Sequence, residues 1–452
     1  MTTHSTSTST STSTSTHDRG RARQSLARRA LLSLDEPERM QGRIASLRAS
    51  SGAIFVDIHR QGRLSQACAL ASSPAFDVLR QCHLGDWIEA VGSWGDTRSG
   101  DRTLFAAAAN RLAVCAPGFP TWDAPLTEHA ARARPDLARA SDPIRLGRAS
   151  ARMAAVEALR AWARSEGLRE AITPILSPEP SGAMAAPFWT HSRSTSRDLA
   201  LRVAPENALV RLLCSGFEAL YEIGPSFRNE GMSWRHHPEF LMIEAYRAGW
   251  TMEDALASAC SAVDAAWSAL GSPPIAPWAQ WRIAEALAGF GCPPERVADL
   301  EWLRARCLEA GRAAPDGALL LDVQWHALEQ AFEPPDIPCV VLGHPDRISP
   351  LAAPDPDRPG ESLRFELYLG GIEIANGYEQ LRDAQLQADR FAGQALRAGS
   401  GLEAMGQDAG YLDAMGLGMP RLGGFGIGID RLAQLAFGCS IRDALPFPLT
   451  GG

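Results

Sequence analysis

From Met40 the chain alternates between apolar and polar positions. MQGRIASLRA, AIFVDIHR and Leu64–Ala71 (LSQACALA) either alternate or run apolar, and Ser/Gly turns separate them. That is the period of short strands with one buried face. A helical piece, Ala75–Cys82, follows, and then Asp86–Trp94 (DWIEAVGSW) and Leu104–Ala116 (LFAAAANRLAVCA), split by a turn at Gly95–Gly100. Near Ser150 the period changes. Met153, Val156, Leu159 and Trp162 lie three apart on a long amphipathic helix that Gly167 stops, and a strand at Leu168–Ile172 ends at Pro174. Residues 251–336 are Ala-rich and read as helical, with breaks at Gly271–Pro277 and Cys292–Pro294. Gly-rich strands resume over Leu363–Asn376, and a helix runs from about Asp383 to Ala398.

Three strands, a helix and two strands is the order of an OB-fold barrel. The pattern therefore predicts an α+β chain in four parts. Residues 1–36 form a tail, 37–118 a small OB-fold barrel, 119–147 a linker, and 148–450 a larger domain with a helical insertion at about 251–336. The tail opens with a Ser/Thr low-complexity run and adds Arg19, Arg21, Arg23, Arg28 and Arg29. This is the composition of a transit peptide, of a basic arm that brushes nucleic acid, or of a plain solvated tail.

Composition narrows the chemistry. At a net charge of −8 the chain as a whole is not a polyanion binder, so any nucleic-acid contact rests on a local basic patch. The nine cysteines include no CxxC pair, which argues for a reducing compartment and against a zinc site or disulfide framework. No apolar run spans a membrane and no secretory h-region follows the start, so a cytoplasmic location without membrane attachment is expected. All 44 basic residues are arginine; the sequence has no lysine. Any phosphate clamp must then be built from arginine.

Two stretches carry the chemistry: Phe227–Tyr246 (FRNEGMSWRHHPEFLMIEAY) and Gly424–Pro448 (GFGIGIDRLAQLAFGCSIRDALPFP). Together with RFELYLGG and EIANG they resemble, in order, motifs 2 and 3 of a class II aminoacyl-tRNA synthetase of the lysine branch. The helix, strand and proline near residues 150–174 resemble motif 1, which in that family forms a dimer interface, so a homodimer is implied. Such an enzyme joins an amino-acid carboxylate to the α-phosphorus of ATP. Both reactants are anionic, and the nucleophile is already ionised, so the demand falls on positive charge and alignment rather than on a general base. The resemblance implies that Arg228 grips the α-phosphate and the carboxylate, with Glu230 beside it on one face of a strand near the adenine amino group. It further implies His236 in the motif 2 loop, Phe240 stacked on the adenine, and Arg431 on the other adenine face near the γ-phosphate. Glu366 and Glu373 are implied to hold Mg²⁺ against the phosphates.

For the amino acid, the resemblance implies that Glu206, in LRVAPEN, meets the α-amino group. Residues matching Glu244, Tyr246, Asn376, Tyr378 and Gln380 meet the side-chain ammonium. Four positions depart from the lysine pattern. Gln380 stands where the family has glutamate, so a cationic substrate loses one carboxylate partner. Ala375 stands where lysyl-tRNA synthetases have glycine, and the related elongation factor P lysine/β-lysine ligases have alanine there. Ala186 replaces an arginine, and His237 an asparagine. The acceptor is expected to be tRNA, read by the barrel, in which Phe55, His59, Arg60 and Arg63 supply the aromatic and basic candidates. The alternative is ligation of lysine or β-lysine to elongation factor P or another non-tRNA acceptor.

Overall fold

The computed structural model describes residues 38–449 except 61, 121–125, 180–184, 290, 297–298, 310, 312–322, 324–335 and 400–407. The tail at 1–36 lies outside the described residues. The chain divides after Ser150 into two units.

The first unit holds a closed barrel. Strands β1 (Arg39–Ala49), β2 (Ala53–Arg60), β3 (Arg63–Leu70), β4 (Trp87–Asp96) and β5 (Arg102–Ala113) close in the order β1-β2-β3-β5-β4. One long strand serves two partners. The first half of β1 pairs with β4, from Arg39↔Val91 to Arg43↔Trp87, and the strand pairs with β2 from Arg43↔His59 to Ala49↔Ile54, with a bulge between Ile44 and Ser46. The alternation read from the sequence points Ile44, Ile54, Val56, Ile58, Ile88 and Leu104 inward, all fully buried. Each such side chain contributes roughly 1.5–3 kcal/mol. Helix α1 (Pro74–Arg80), capped by Ser73, adds Ala75 and Leu79 to this core. The stretch read as linker contains two short helices, α2 (Glu128–Ala133) and α3 (Pro135–Ser141). The long helix α4 (Pro143–Ser165) starts seven residues before the expected Ser150. Proline fits its first turn, and Asp142 accepts from the Ile144 amide at 2.8 Å.

On α4 the buried face is Ala155, Leu159, Trp162 and Ala163, whereas Met153 is 62% exposed. A strict three-residue spacing drifts around a helix of 3.6 residues per turn, so Met153 leaves the face that Leu159 and Trp162 share. Only Arg169–Glu170 of the expected Leu168–Ile172 strand pairs; this is β6.

The second unit is built on an eight-stranded sheet. A small sheet of β7 (Leu176–Ser177), β8 (Trp189–Ser192) and β9 (Arg197–Leu201) precedes helix α5 (Glu206–Cys214). Then come β10 (Ala219–Phe227), β11 (Glu239–Ala248), helix α6 (Met252–Ala269), β12 (Ala279–Arg282), helices α7 (Ile283–Gly289) and α8 (Leu300–Glu309), and β13 (Cys339–Leu342). The chain continues with β14 (Arg364–Leu369), β15 (Ile372–Glu379), helices α9 (Ala384–Gly399) and α10 (Ala409–Gly416), β16 (Leu422–Gly428), and helices α11 (Ile429–Phe437) and α12 (Ile441–Ala444). The sheet order is β12-β13-β14-β15-β16-β11-β10-β6; β13 through β10 are antiparallel, and only the outer pairs β12/β13 and β10/β6 are parallel.

Residues 251–336, read as a helical insertion, are not one body apart from the sheet. Helix α6 packs Ala255, Ala259, Ala262, Val263 and Ala266 into the same core as Ile243, Ala245, Phe365, Phe425 and Ile427. Its alanines, which look featureless in the sequence, let the helix lie close against the strands. Residues 279–282 are a strand rather than a helix, and form the sheet edge. Much of 312–335 lies outside the described residues.

Candidate functional site

One cavity of about 330 Å³ opens in the second unit on the strand face opposite α6. It brings together Glu206, Arg228, Glu230, His236, Phe240, Glu244, Tyr246, Glu366, Glu373, Ala375, Asn376, Tyr378 and Arg431, most of them through strand faces or the loop between β10 and β11, Glu206 through the start of α5 and Arg431 through the start of α11. Gln380 is the one proposed site residue outside its lining.

Period-two geometry explains the grouping. On β11, Phe240, Met242, Glu244 and Tyr246 point into the cavity, and on β14 Arg364 and Glu366 do the same. Opposite β11 stand glycines: Gly424 faces Tyr246, Gly426 faces Glu244 and Gly428 faces Met242. A Cβ on Gly424 would lie 1.9 Å from the Tyr246 ring, so that glycine makes room for the tyrosine; Gly426 and Gly428 line the cavity themselves. Arg228 and Glu230 are not on one strand face. Pairing ends with the Arg228 amide donating to the Pro238 carbonyl at 2.8 Å, and both residues belong to the loop beyond β10.

At the arginine end, the Arg228 guanidinium stands 5.2 Å from the Phe240 ring centroid, a cation–π distance. Its Nε is buried without a partner. Burial pushes its pKa down, and nearby Glu230 offsets this in part. Arg431 donates to the Glu373 carbonyl at 2.9 Å and to its carboxylate at 3.2 Å. In the loop, His236 faces Ser233 Oγ at 2.9 Å, and burial together with the charges of Arg431 and Arg235 lowers its pKa below the usual imidazole value. His237 is fixed instead: its Nε2 accepts from the Leu449 amide at 2.9 Å.

At the other end, carboxylates are buried together. Glu206 accepts from the Tyr378 hydroxyl and, at 2.7 Å, from the Gln380 amide. Burial raises its pKa to about 7 despite those donors. Glu244 accepts from Tyr246 at 3.2 Å, and burial, followed by the charge of Glu206, holds its pKa well above the carboxylate range. Gln380 sits behind Glu206, fully buried, with its carbonyl accepting from Tyr411 at 3.0 Å. Ala375 is buried in the core beside Phe365 and Leu367. Glu379, on the opposite strand face, pairs with Arg421 at 2.9 Å.

Glu366 is held on both carboxylate oxygens. Arg364 donates to one oxygen at 2.6 Å, Tyr368 to the other at 2.8 Å, and His344 lies 3.4 Å away. Although burial opposes ionisation, His344 and Arg364 hold its pKa well below the usual carboxylate range. Arg364 also donates to Asn376 Oδ1 at 3.1 Å. Arg364 and Tyr368 are legible in RFELY, since both share a face with Glu366. Tyr411 is not, because it arrives on α10, 31 residues after Gln380.

Among the described residues no group of three or more His, Cys, Asp or Glu gathers as a metal site. Glu366 and Glu373 both line the cavity, and their carboxylate oxygens are the hard donors that suit a divalent cation. None of the described helices is long and apolar enough to cross a membrane.

Residues 139–451 match the family described as tRNA synthetases class II (D, K and N). Lysine–tRNA ligase of Xanthomonas axonopodis pv. citri (strain 306) is 34% identical over 437 residues, covering 91% of this chain and 85% of that protein. The lysylphosphatidylglycerol biosynthesis bifunctional protein LysX of Mycobacterium ulcerans (strain Agy99) is 33% identical over 441 residues, 91% of this chain but 39% of the relative. The chain thus spans about two fifths of the mycobacterial relative and most of the Xanthomonas one. With the barrel, the sheet order and the motif residues arranged as above, the chain belongs to the class II aminoacyl-tRNA synthetases, in the lysyl-tRNA synthetase branch.

Proposed function

We propose that this protein uses ATP to activate lysine or a lysine-like amino acid as an aminoacyl-adenylate and transfers the aminoacyl group to tRNA. The observation that carries the reading is the polarity of one cavity. Guanidinium groups of Arg228 and Arg431 stand at one end, and the buried pair Glu206 and Glu244 at the other. Two carboxylates sharing a dry site repel one another, and an amino acid with two ammonium groups relieves that repulsion.

In this reading Arg228 holds the substrate carboxylate and the α-phosphate in line, and the Phe240 ring, now covered by Arg228, takes the adenine. Arg431, which now donates to Glu373, would serve the γ-phosphate. Mg²⁺, when bound, screens the charge of the phosphates, with Glu366 and Glu373 as its protein oxygens. His344 and Arg364 keep Glu366 ionised for that task. No side chain has to remove a proton from the attacking carboxylate. The attacking oxygen forms the bond to the α-phosphorus, and pyrophosphate leaves.

For the acceptor, the support is the barrel. Besides Phe55 it presents Trp87 and Trp94, with Arg43 5.4 Å from the Trp87 ring and Arg102 5.8 Å from Trp94. The paired names of the relatives, a lysine–tRNA ligase and a lysylphosphatidylglycerol protein, share lysine rather than an acceptor. For assembly, Ile172 (93% exposed), Ile175, Leu176 and Trp189 leave apolar surface on the second unit, which favours a homodimer.

The test is amino-acid-dependent pyrophosphate exchange with α-lysine, β-lysine, ornithine, arginine and neutral analogues, followed by charging of tRNA. Exchange with a diamino acid and not with neutral analogues is expected. Exchange with none of them would overturn the activation reading. Exchange without tRNA charging, but with labelling of elongation factor P, would move the acceptor to protein.

A further inference from the structure

The buried face of α4 runs back one turn before Ala155. Positions 152, 155, 159 and 162 are spaced as one helical face, and the first of them is an arginine. A guanidinium at a core-facing position needs a buried partner. Arg152 has one in Asp430. Its Nε donates to one carboxylate oxygen at 2.6 Å, and the Asp430 side chain is only 1% exposed.

The other Asp430 oxygen completes a sheet. The pairing of β11 with β16 ends at Met242↔Gly428, where β16 turns into α11. The next β11 amide on that side belongs to Leu241, and β16 no longer runs beside it. Asp430 takes the place of the strand: its second oxygen accepts from the Leu241 amide at 2.7 Å. One carboxylate thus ties α4, β11 and α11 together. Phe240 precedes Leu241, Arg431 follows Asp430, and all but Arg152 of these residues line the cavity. Moving the carboxylate changes the gap between the Phe240 ring and the Arg431 guanidinium. Glu206 and Glu244 lie at the far end of the cavity, away from this tie.

We infer that Asp430 and Arg152 are positioning residues for ATP, a role that rests on the activation reading because that reading places the adenine between Phe240 and Arg431. Asp430 sets the spacing of those two groups. Arg152 holds the Asp430 carboxylate in the orientation that reaches Leu241.

The test joins calorimetric binding of ATP with Mg²⁺ to pyrophosphate-exchange titrations. ATP is titrated, and so is α-lysine or β-lysine, whichever the wild type activates. Arg152→Met removes the charge and keeps an unbranched side chain. It should weaken ATP binding and raise the ATP KM by about tenfold, the scale of one charge-assisted hydrogen bond, with the amino-acid KM held within about twofold. Asp430→Asn keeps an oxygen for Leu241, loses the ion pair, and should do the same. Arg152→Lys should recover most of the loss, because an ammonium on a four-carbon stem reaches the same oxygen. In Arg152→Met/Asp430→Asn the loss should fall short of the product of the single losses, because the two groups act as a unit. If Arg152→Met is unfolded by its melting curve, Arg152→Gln carries the test, since it loses the charge and keeps a donor. Unchanged ATP binding and ATP KM in the folded variants would overturn the positioning role and leave the activation reading standing. Parallel rises in both KM values, or no recovery with lysine, would overturn it in favour of a purely structural pair. A wild type that binds ATP but exchanges with no amino acid sinks the activation reading, and the calorimetric comparison still decides the role of the pair. A wild type that binds no ATP overturns both.

Discussion

The residue that most changes its meaning is Gln380. Read from the sequence, it is a missing carboxylate in the substrate pocket. In the structure its amide donates to Glu206 at 2.7 Å and its carbonyl accepts from Tyr411 at 3.0 Å, so it acts on the substrate through Glu206. Gln380→Glu places two carboxylates side by side and removes a donor. At pH 8 the ligand-free variant should be about 1–3 kcal/mol less stable than the wild type. At pH 5 the gap should shrink, because one acid of the pair is protonated and donates to the other. Thermal melts at the two pH values check this. Glu206 itself carries a second consequence. Its pKa of about 7 in the fold lies above the ordinary glutamate value, so the folded state holds a proton that the unfolded state has lost. Its contribution to stability is therefore full below about pH 4.5, falls as pH rises, and is lost above pH 7; the whole window corresponds to roughly 3 kcal/mol. Lysine, which stays doubly ammonium throughout, should bind more tightly as pH rises from 6 to 8, with proton release in calorimetry. Glu206→Gln should flatten both profiles.

At the scale of elements, the site depends on close approach between β11 and β16. Gly424→Ala would drive a methyl into the Tyr246 ring and displace the hydroxyl that donates to Glu244. A larger KM for the amino acid is expected, with the ATP KM little changed, since Arg228, Phe240 and Arg431 lie toward the other end; separate pyrophosphate-exchange titrations distinguish the two. The same strands show what the sequence makes legible. Period-two alternation in EFLMIEAY puts Phe240, Glu244 and Tyr246 on one face before any coordinates are known, and the β1–β2 alternation likewise anticipates the barrel. Where tertiary packing decides, the sequence is mute. The alanines of α6 look like an insertion until the sheet they cover is seen, Tyr411 reaches Gln380 across a fold, and Arg228 and Glu230 leave the strand because pairing stops at Pro238. The spacing of Met153 misleads because three-residue steps drift off a helical face.

Across the whole molecule, the unusual property is a chain with 44 arginines and no lysine that belongs to a family built to make a reactive acyl-adenylate. An acyl-adenylate reacts with free amines. Guanidinium groups stay protonated at any ordinary pH and do not attack it. The buried site already limits escape, but the surface offers no side-chain amine to any adenylate that leaves. Incubated with ATP, Mg²⁺ and a substrate amino acid in the absence of acceptor, this protein should gain no side-chain acylation, while a lysine-bearing protein added to the same tube should be labelled. Intact-mass and peptide mass spectrometry check both outcomes. Replacing exposed arginines such as Arg98 and Arg193 with lysine should create labelled positions in proportion to their number. Aminoacyl groups found on the unsubstituted chain at serine, threonine or tyrosine would show that hydroxyls, rather than amines, are the surface acceptors, and that the lack of lysine confers no protection.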